Sequence, residues 1–155
     1  MSIDHSGEFW IGSEPADILD FLAAYSADGY QVTHARAAKC ACGSDGFQLV
    51  FLPLNGIGRA TCVACQDIKQ IADAAALWDE AAEEEELEQA ICPGCGSDAC
   101  NLALGIAGLH DKPDQARWLY MGWRCIGCGI LGSPYDTKMD GEQIEEMLKM
   151  MGPQA

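Results

Sequence analysis

Eight of the nine cysteines in this chain stand in four close pairs, Cys40/Cys42, Cys62/Cys65, Cys92/Cys95 and Cys125/Cys128. Each pair presents two sulfurs from one tight turn. Two such turns brought together by a hairpin make a tetrahedral thiolate cage of the kind zinc prefers. Taken in order, the pairs form two consecutive quartets, so the spacing predicts two zinc ions, each held by four cysteines. Two residues between the cysteines of a pair let both sulfurs and the turn's backbone N–H groups point inward, so the amides can bond thiolates that would otherwise repel one another. Glycine after the second cysteine eases the reversal, and Gly43, Gly96 and Gly129 hold that place. The Cys40-Ala41-Cys42 pair has one intervening residue where the other three have two. That difference makes the first site the expected place for metal loss or oxidation.

Both quartets are complete, whereas a catalytic zinc keeps an open coordination position. The sites are therefore expected to be structural and the protein non-enzymatic. His5, His34 and His110 are scattered without ligand spacing, and no serine-histidine-acid order, phosphate-binding glycine loop or paired catalytic carboxylate stands out. The ninth cysteine, Cys100, is unpaired. Cys42-Gly43-Ser44-Asp45-Gly46-Phe47-Gln48-Leu49 aligns without a gap on Cys95-Gly96-Ser97-Asp98-Ala99-Cys100-Asn101-Leu102, which places Cys100 opposite Phe47. A strand position shared with phenylalanine predicts a core side chain rather than a reactive thiol.

These knuckles resemble the zinc-ribbon superfamily, in which two cysteine turns at the ends of antiparallel strands bind one structural zinc. The resemblance spans 26 residues of the first module and 37 of the second, counted from first to last cysteine. It implies fold and metal, and says little about any one activity. Cys92-Pro93-Gly94-Cys95-Gly96 and Cys125-Ile126-Gly127-Cys128-Gly129 also resemble rubredoxin knuckles, which implies iron and electron transfer as the alternative. Against that, the first module has a shorter interval and the one-residue gap, and the proline sits in the first knuckle where rubredoxins favour the second.

The elements that must position these turns follow from the pattern between them. Ile18, Leu19, Leu22 and Tyr25 recur at helical spacing behind Ser13-Glu14-Pro15, predicting a helix from about Pro15 to Asp28. Phe47 to Leu54 and Ile57 to Thr61 read as strands around an Asn55-Gly56 hairpin, with Ile68 and Ile71 as a third strand. The segment from Asp73 to Ala90 is rich in alanine, leucine and glutamate and reads as a helix joining the modules. Its acidic run, Glu83 to Glu86 and Glu88, is most simply a solvated face. Strands from about Cys100 to Leu109 and Arg117 to Trp123 build the second module. A last helix is expected from Asp140, capped by Gln143, with Ile144, Met147, Leu148 and Met151 as its apolar stripe. On the Arg117 strand, Trp118 and Tyr120 share one face while Leu119, Met121 and Trp123 share the other. The simplest reading buries both faces; an exposed one would be a binding patch.

The expectation is thus an α+β protein in five parts: an N-terminal helix and lead-in over 1–39, a first zinc ribbon over 40–72, an acidic linker helix over 73–91, a second ribbon over 92–133 and a C-terminal helix over 134–155. The formal charge is −15, unevenly placed, with 16 acids against 4 bases in residues 1–91 and 8 against 5 in residues 92–155. Such a surface repels phosphate backbones, so direct nucleic-acid binding is not expected, although a ribbon can serve transcription or translation machinery through another protein. A basic protein partner is the better match, as with acidic antagonists of the immunity type that cover basic nuclease sites. The first residues lack a basic stretch followed by an apolar run, and the alanine-rich segment is broken by Asp73, Asp79 and Glu80. A reducing cytoplasm and no membrane insertion are expected.

Overall fold

The computed structural model describes residues 3–52, 57–71, 78, 86–149, 151 and 152. Its dominant element is one antiparallel sheet of nine strands. In chain order the strands and helices are β1 (Ile3–Asp4), β2 (Ile11–Gly12), α1 (Asp17–Tyr25), β3 (His34–Ala37), β4 (Phe47–Leu52), β5 (Ile57–Cys62), β6 (Ile68–Ile71), β7 (Glu88–Gln89), β8 (Cys100–Gly108), β9 (Ala116–Cys125), β10 (Leu131–Gly132), β11 (Asp136–Lys138) and α2 (Ile144–Lys149). The path across the sheet runs β10-β9-β8-β4-β5-β6, with β11 on β9, β3 on β8 and β7 on β4, while β1 and β2 form a separate ribbon of two strands.

This corrects the α+β expectation with flanking and linking helices. The chain is mostly β, because the segments leading into the cysteine turns find strand partners. β3 pairs over four residues with β8, and Glu88 and Gln89, expected to be helical, pair with Phe51 and Val50 of β4. Glu86, Leu87, Ala90 and Ile91 are not helical either, while Trp78 is helical; the remaining residues of the proposed linker helix, 73–77 and 79–85, lie outside the described residues, as does the Asn55-Gly56 turn. The strands that flank that turn do pair, Leu52 facing Ile57.

β8 and β9 form the longest hairpin, and both of its faces are covered. Cys100, Leu102, Leu104 and Ile106 of β8 and Leu119, Met121, Trp123 and Cys125 of β9 join Phe47, Leu49 and Phe51 in the main core. Tyr120 and Ala103 face the other way, onto Ile18, Phe21 and Leu22 of α1, with Trp118 packed alongside. The alternation read in the aromatic strand therefore resolves as burial on both sides. Helix α1 approaches so closely that a Cβ at Gly122 would lie 2.5 Å from the Ile18 Cγ2 atom; only glycine fits there.

Helix α1 is shorter than the sequence predicts and is not capped by Ser13. Asp17, in its first turn, instead accepts from the Glu14 backbone N–H at 3.2 Å. The last helix also begins late. Ala116 N–H donates to the Glu142 carbonyl at 2.8 Å and Gly141 has φ +92°, so residues 141–143 extend the sheet edge before helix can start. Asp140 N–H finds Glu142 Oε1, not Gln143. The apolar stripe stands as read: Ile144, Met147, Leu148 and Met151 are all buried. Its end is tied to the first lead-in strand by Arg36 Nη1 donating to the Leu148 carbonyl and Lys39 N–H donating to that of Met151.

Candidate metal centres

The two halves of the sheet meet at one residue pair. Phe47, the first residue of β4, faces Cys100, the first of β8, in antiparallel register. The sequence repeat makes these two positions equivalent, so the pairing implies a local two-fold axis between them. The hydrogen bonds around the junction obey it. Ala90 N–H donates to the Leu49 carbonyl at 2.9 Å, and the matching Ala38 N–H donates to Leu102 at 2.8 Å. Val63 N–H reaches Gly46 and Ile126 N–H reaches Ala99, both at 3.1 Å. Gln48 Nε2 donates to Asp98 Oδ2 at 3.0 Å, while Asn101 Nδ2 donates to the Asp45 carbonyl at 3.0 Å. Each module thus lends its lead-in strand to the other, as subunits do across an isologous interface.

At the ends of these strands the cysteines come together as the spacing predicts. Cys40, Cys42, Cys62 and Cys65 form one group and Cys92, Cys95, Cys125 and Cys128 the other, the sulfurs of each lying within 4.8 Å of one another. The closest approaches follow the same order in both: first to fourth and second to third cysteine, at 3.5 and 3.6 Å in the first group and 3.4 and 3.4 Å in the second. Zinc–sulfur bonds of about 2.3 Å in a tetrahedron require sulfurs about 3.8 Å apart, so a small inward or outward adjustment seats the ion. The groups are compatible with zinc-ribbon-like sites. Four soft sulfurs accept zinc or iron, and the geometry does not choose between them.

The surroundings prepare the sulfurs for a cation. Cys62 is lowered to about 6, chiefly because the Cys65 backbone N–H bonds its thiolate, against the cost of desolvation. Burial opposes the Cys92 thiolate, but the N–H groups of Cys95 and Gly94, at 3.5 and 3.4 Å from its sulfur, bring it down to about 7. The fourth cysteines go the other way. The Asp67 amide favours a thiolate at Cys65 and the Ile130 amide one at Cys128, yet neighbouring sulfurs and desolvation push both up to about 12. Cys62 and Cys92 thus ionise most readily in their groups, while Cys65 and Cys128 become thiolates only with a positive ion among them.

The shorter first knuckle closes by a tighter turn. Gly43 N–H donates to the Cys40 carbonyl three residues back, where Gly96 N–H reaches Cys92 four residues back. Gly43, Gly96 and Gly129 all have positive φ. The second knuckle, Cys62/Cys65, carries Gln66 at this position, with φ +66°, and the sequence signalled it only as the missing glycine. Left-handed backbone costs a side-chain-bearing residue about 1–2 kcal/mol, partly offset by glycine's larger unfolded-state entropy. Gln66→Gly is therefore expected to stabilise the loaded protein by about 0.5–1 kcal/mol, read as a higher urea midpoint, with slower metal loss from the first group.

Cys100 stays apart from both groups. It is fully buried, its thiol donates to the Phe47 carbonyl at 3.3 Å, and desolvation raises it to about 12 despite the Trp123 indole nearby. At pH 8 it remains protonated and out of reach. Iodoacetamide is expected to leave Cys100 unmodified in the loaded, folded protein and to alkylate it once urea unfolds the chain, as mass mapping of the peptide would show. The three histidines join neither group. The reciprocal Gln48–Asp98 and Asn101–Asp45 bonds were missed in the sequence, although the gapless match already made Gln48 equivalent to Asn101 and Asp45 equivalent to Asp98. Arg124 locks the second of these, its Nη1 donating to Asn101 Oδ1 at 2.9 Å.

Comparison of the chain with protein-family models, with curated proteins and with solved structures found no match. Among the described residues no helix is long and apolar enough to cross a membrane.

Proposed function

We propose that this chain is a non-enzymatic zinc protein whose two four-cysteine centres are scaffolding, and that its acidic surface serves to bind a basic protein, in the manner of an antagonist or immunity-type binder. The observation that supports this most is the closure of both cysteine groups: four sulfurs in each lie within 4.8 Å, a full tetrahedral set with all four positions supplied by the chain. Cys40, Cys42, Cys62 and Cys65 hold one ion, and Cys92, Cys95, Cys125 and Cys128 hold the other. A dication bound by four thiolates carries two negative charges, so loading both centres adds to a chain already at −15. Repulsion of phosphate backbones and attraction of lysine and arginine follow from the same field.

Metal analysis of the reduced protein tests the first part, with two zinc ions per chain as the expected result. Visible absorption from a ferric tetrathiolate would replace this reading with the iron electron-transfer one. Poly-lysine tests the second part, with binding expected at low salt and weakening as salt rises. No binding at low salt would remove the basic-partner reading.

A further inference from the structure

The local two-fold brings together two exposed apolar side chains that the core does not use. Val63 and Ile126 are equivalent residues of the second and fourth knuckles, each directly after a buried cysteine, and they are 40% and 44% exposed. Both close over the same glycine: a Cβ at Gly46 would lie 3.0 Å from Val63 Cγ2 and 3.2 Å from Ile126 Cδ1. Backbone bonds fix them there, since Val63 donates to Gly46 and Ile126 to Ala99. The other exposed aliphatic residues among those described, Ile11, Ile68, Leu87 and Ile91, have no such counterpart across the axis.

What rings this pair is negative. Asp45 and Asp98 immediately precede Gly46 and Ala99 and are themselves two-fold mates. The exposed cysteines Cys65 and Cys128 end the same two turns, and Cys42 and Cys95 complete the groups from the facing ones. With metal bound, each group is a dianion. The face is therefore an apolar centre between two acidic flanks; no lysine or arginine lies in the turns that build it, 42–46, 62–66, 95–99 and 125–129, and Arg124, just before the last of them, is engaged by the Gly12 carbonyl and Asn101 Oδ1.

We propose that this Val63–Ile126 face is the docking site for a partner segment with an apolar side chain between basic residues. The proposal rests on the basic-partner reading above and places it. Apolar contact at the centre supplies desolvated burial, and lysine or arginine on either side meets the flanking charge, so the segment is selected by order as well as by composition. A segment of reversed charge is repelled from both flanks.

Fluorescence anisotropy with a labelled peptide, one leucine between two pairs of lysines, tests this on the metal-loaded full chain. The expected result is binding that weakens at least tenfold when serine replaces the leucine, and disappears when glutamates replace the lysines. Val63→Ser with Ile126→Ser should cost the protein at least tenfold in affinity while retaining two ions, and Ile68→Ser should leave it unchanged. Where the serine pair loads metal poorly, Val63→Lys alone should give the same loss by repulsion. Equal binding of the leucine and serine peptides, or by the wild type and these variants, overturns the face but leaves the basic-partner reading standing. Failure of poly-lysine as well overturns both. A concentration-dependent dimer in sedimentation, abolished by the serine pair, would assign the face to a second copy of the chain and likewise overturn the proposal.

Discussion

Cys92→Ser is expected to unfold the whole chain and not the second module alone. Cys92 is buried and heads the second group, but the residues just before it belong structurally to the first module. Ala90 bonds Leu49, and Glu88 and Gln89 pair with Phe51 and Val50. The same holds in reverse, with His34 to Ala37 pairing along β8 and Ala38 bonding Leu102. Loss of one ion therefore frees a lead-in strand from the opposite half of the sheet. A structural zinc contributes about 10–16 kcal/mol of apparent binding free energy, against a net domain stability of about 5–15 kcal/mol. Losing one ligand to the second ion is enough to exhaust that margin. Hydrogen exchange would check it. Amides of Leu49 and Phe51 should lose protection together with those of Leu102 and Leu104. A first module that keeps its ion and its protected amides in this variant would mean that the halves are independent.

The metal groups and the strands β4, β5, β6, β8 and β9 were legible, and the joining of their hairpins into one sheet through the lead-in strands was not; the difference is the range over which each is encoded. Four knuckles announce themselves within a few residues, because two sulfurs must leave one turn, and the gapless match from Cys42 to Leu49 exposed the duplication. The apolar spacing of Ile18, Leu22 and Tyr25 is likewise local and gave α1. The exchange of lead-in strands is not local. Glu88 and Gln89 have a composition that favours helix, and only β4, nearly forty residues earlier in the chain, makes them extended. The late start of α2 has the same origin, since Ala116 captures the Glu142 carbonyl that a helix from Asp140 would have used. Where a strand's partner lies far along the chain, residue preference describes the segment and tertiary pairing decides it. The resulting picture moves from two stapled modules joined by helices to one sheet with a metal group at each side of a two-fold junction.

At that junction Phe47 is tied to both halves of the sheet. It is fully buried, faces Cys62 of the first group on one side, and on the other faces Cys100, which itself pairs with Cys125 of the second. Phe47→Ala is expected to destabilise the loaded protein by about 3–5 kcal/mol, the range for removing a buried phenyl ring and leaving a cavity. Phe9→Ala, at a residue 38% exposed, should change the urea midpoint by no more than about 0.5 kcal/mol in equivalent terms. The distinguishing measurement is metal release to a coloured chelator. Both ions should leave faster from Phe47→Ala, because opening at the junction loosens Cys62 and Cys125 together. Acceleration of one release phase with the other unchanged would place Phe47 in the first module's core only, and the two centres would then be stabilised separately despite the strands they exchange.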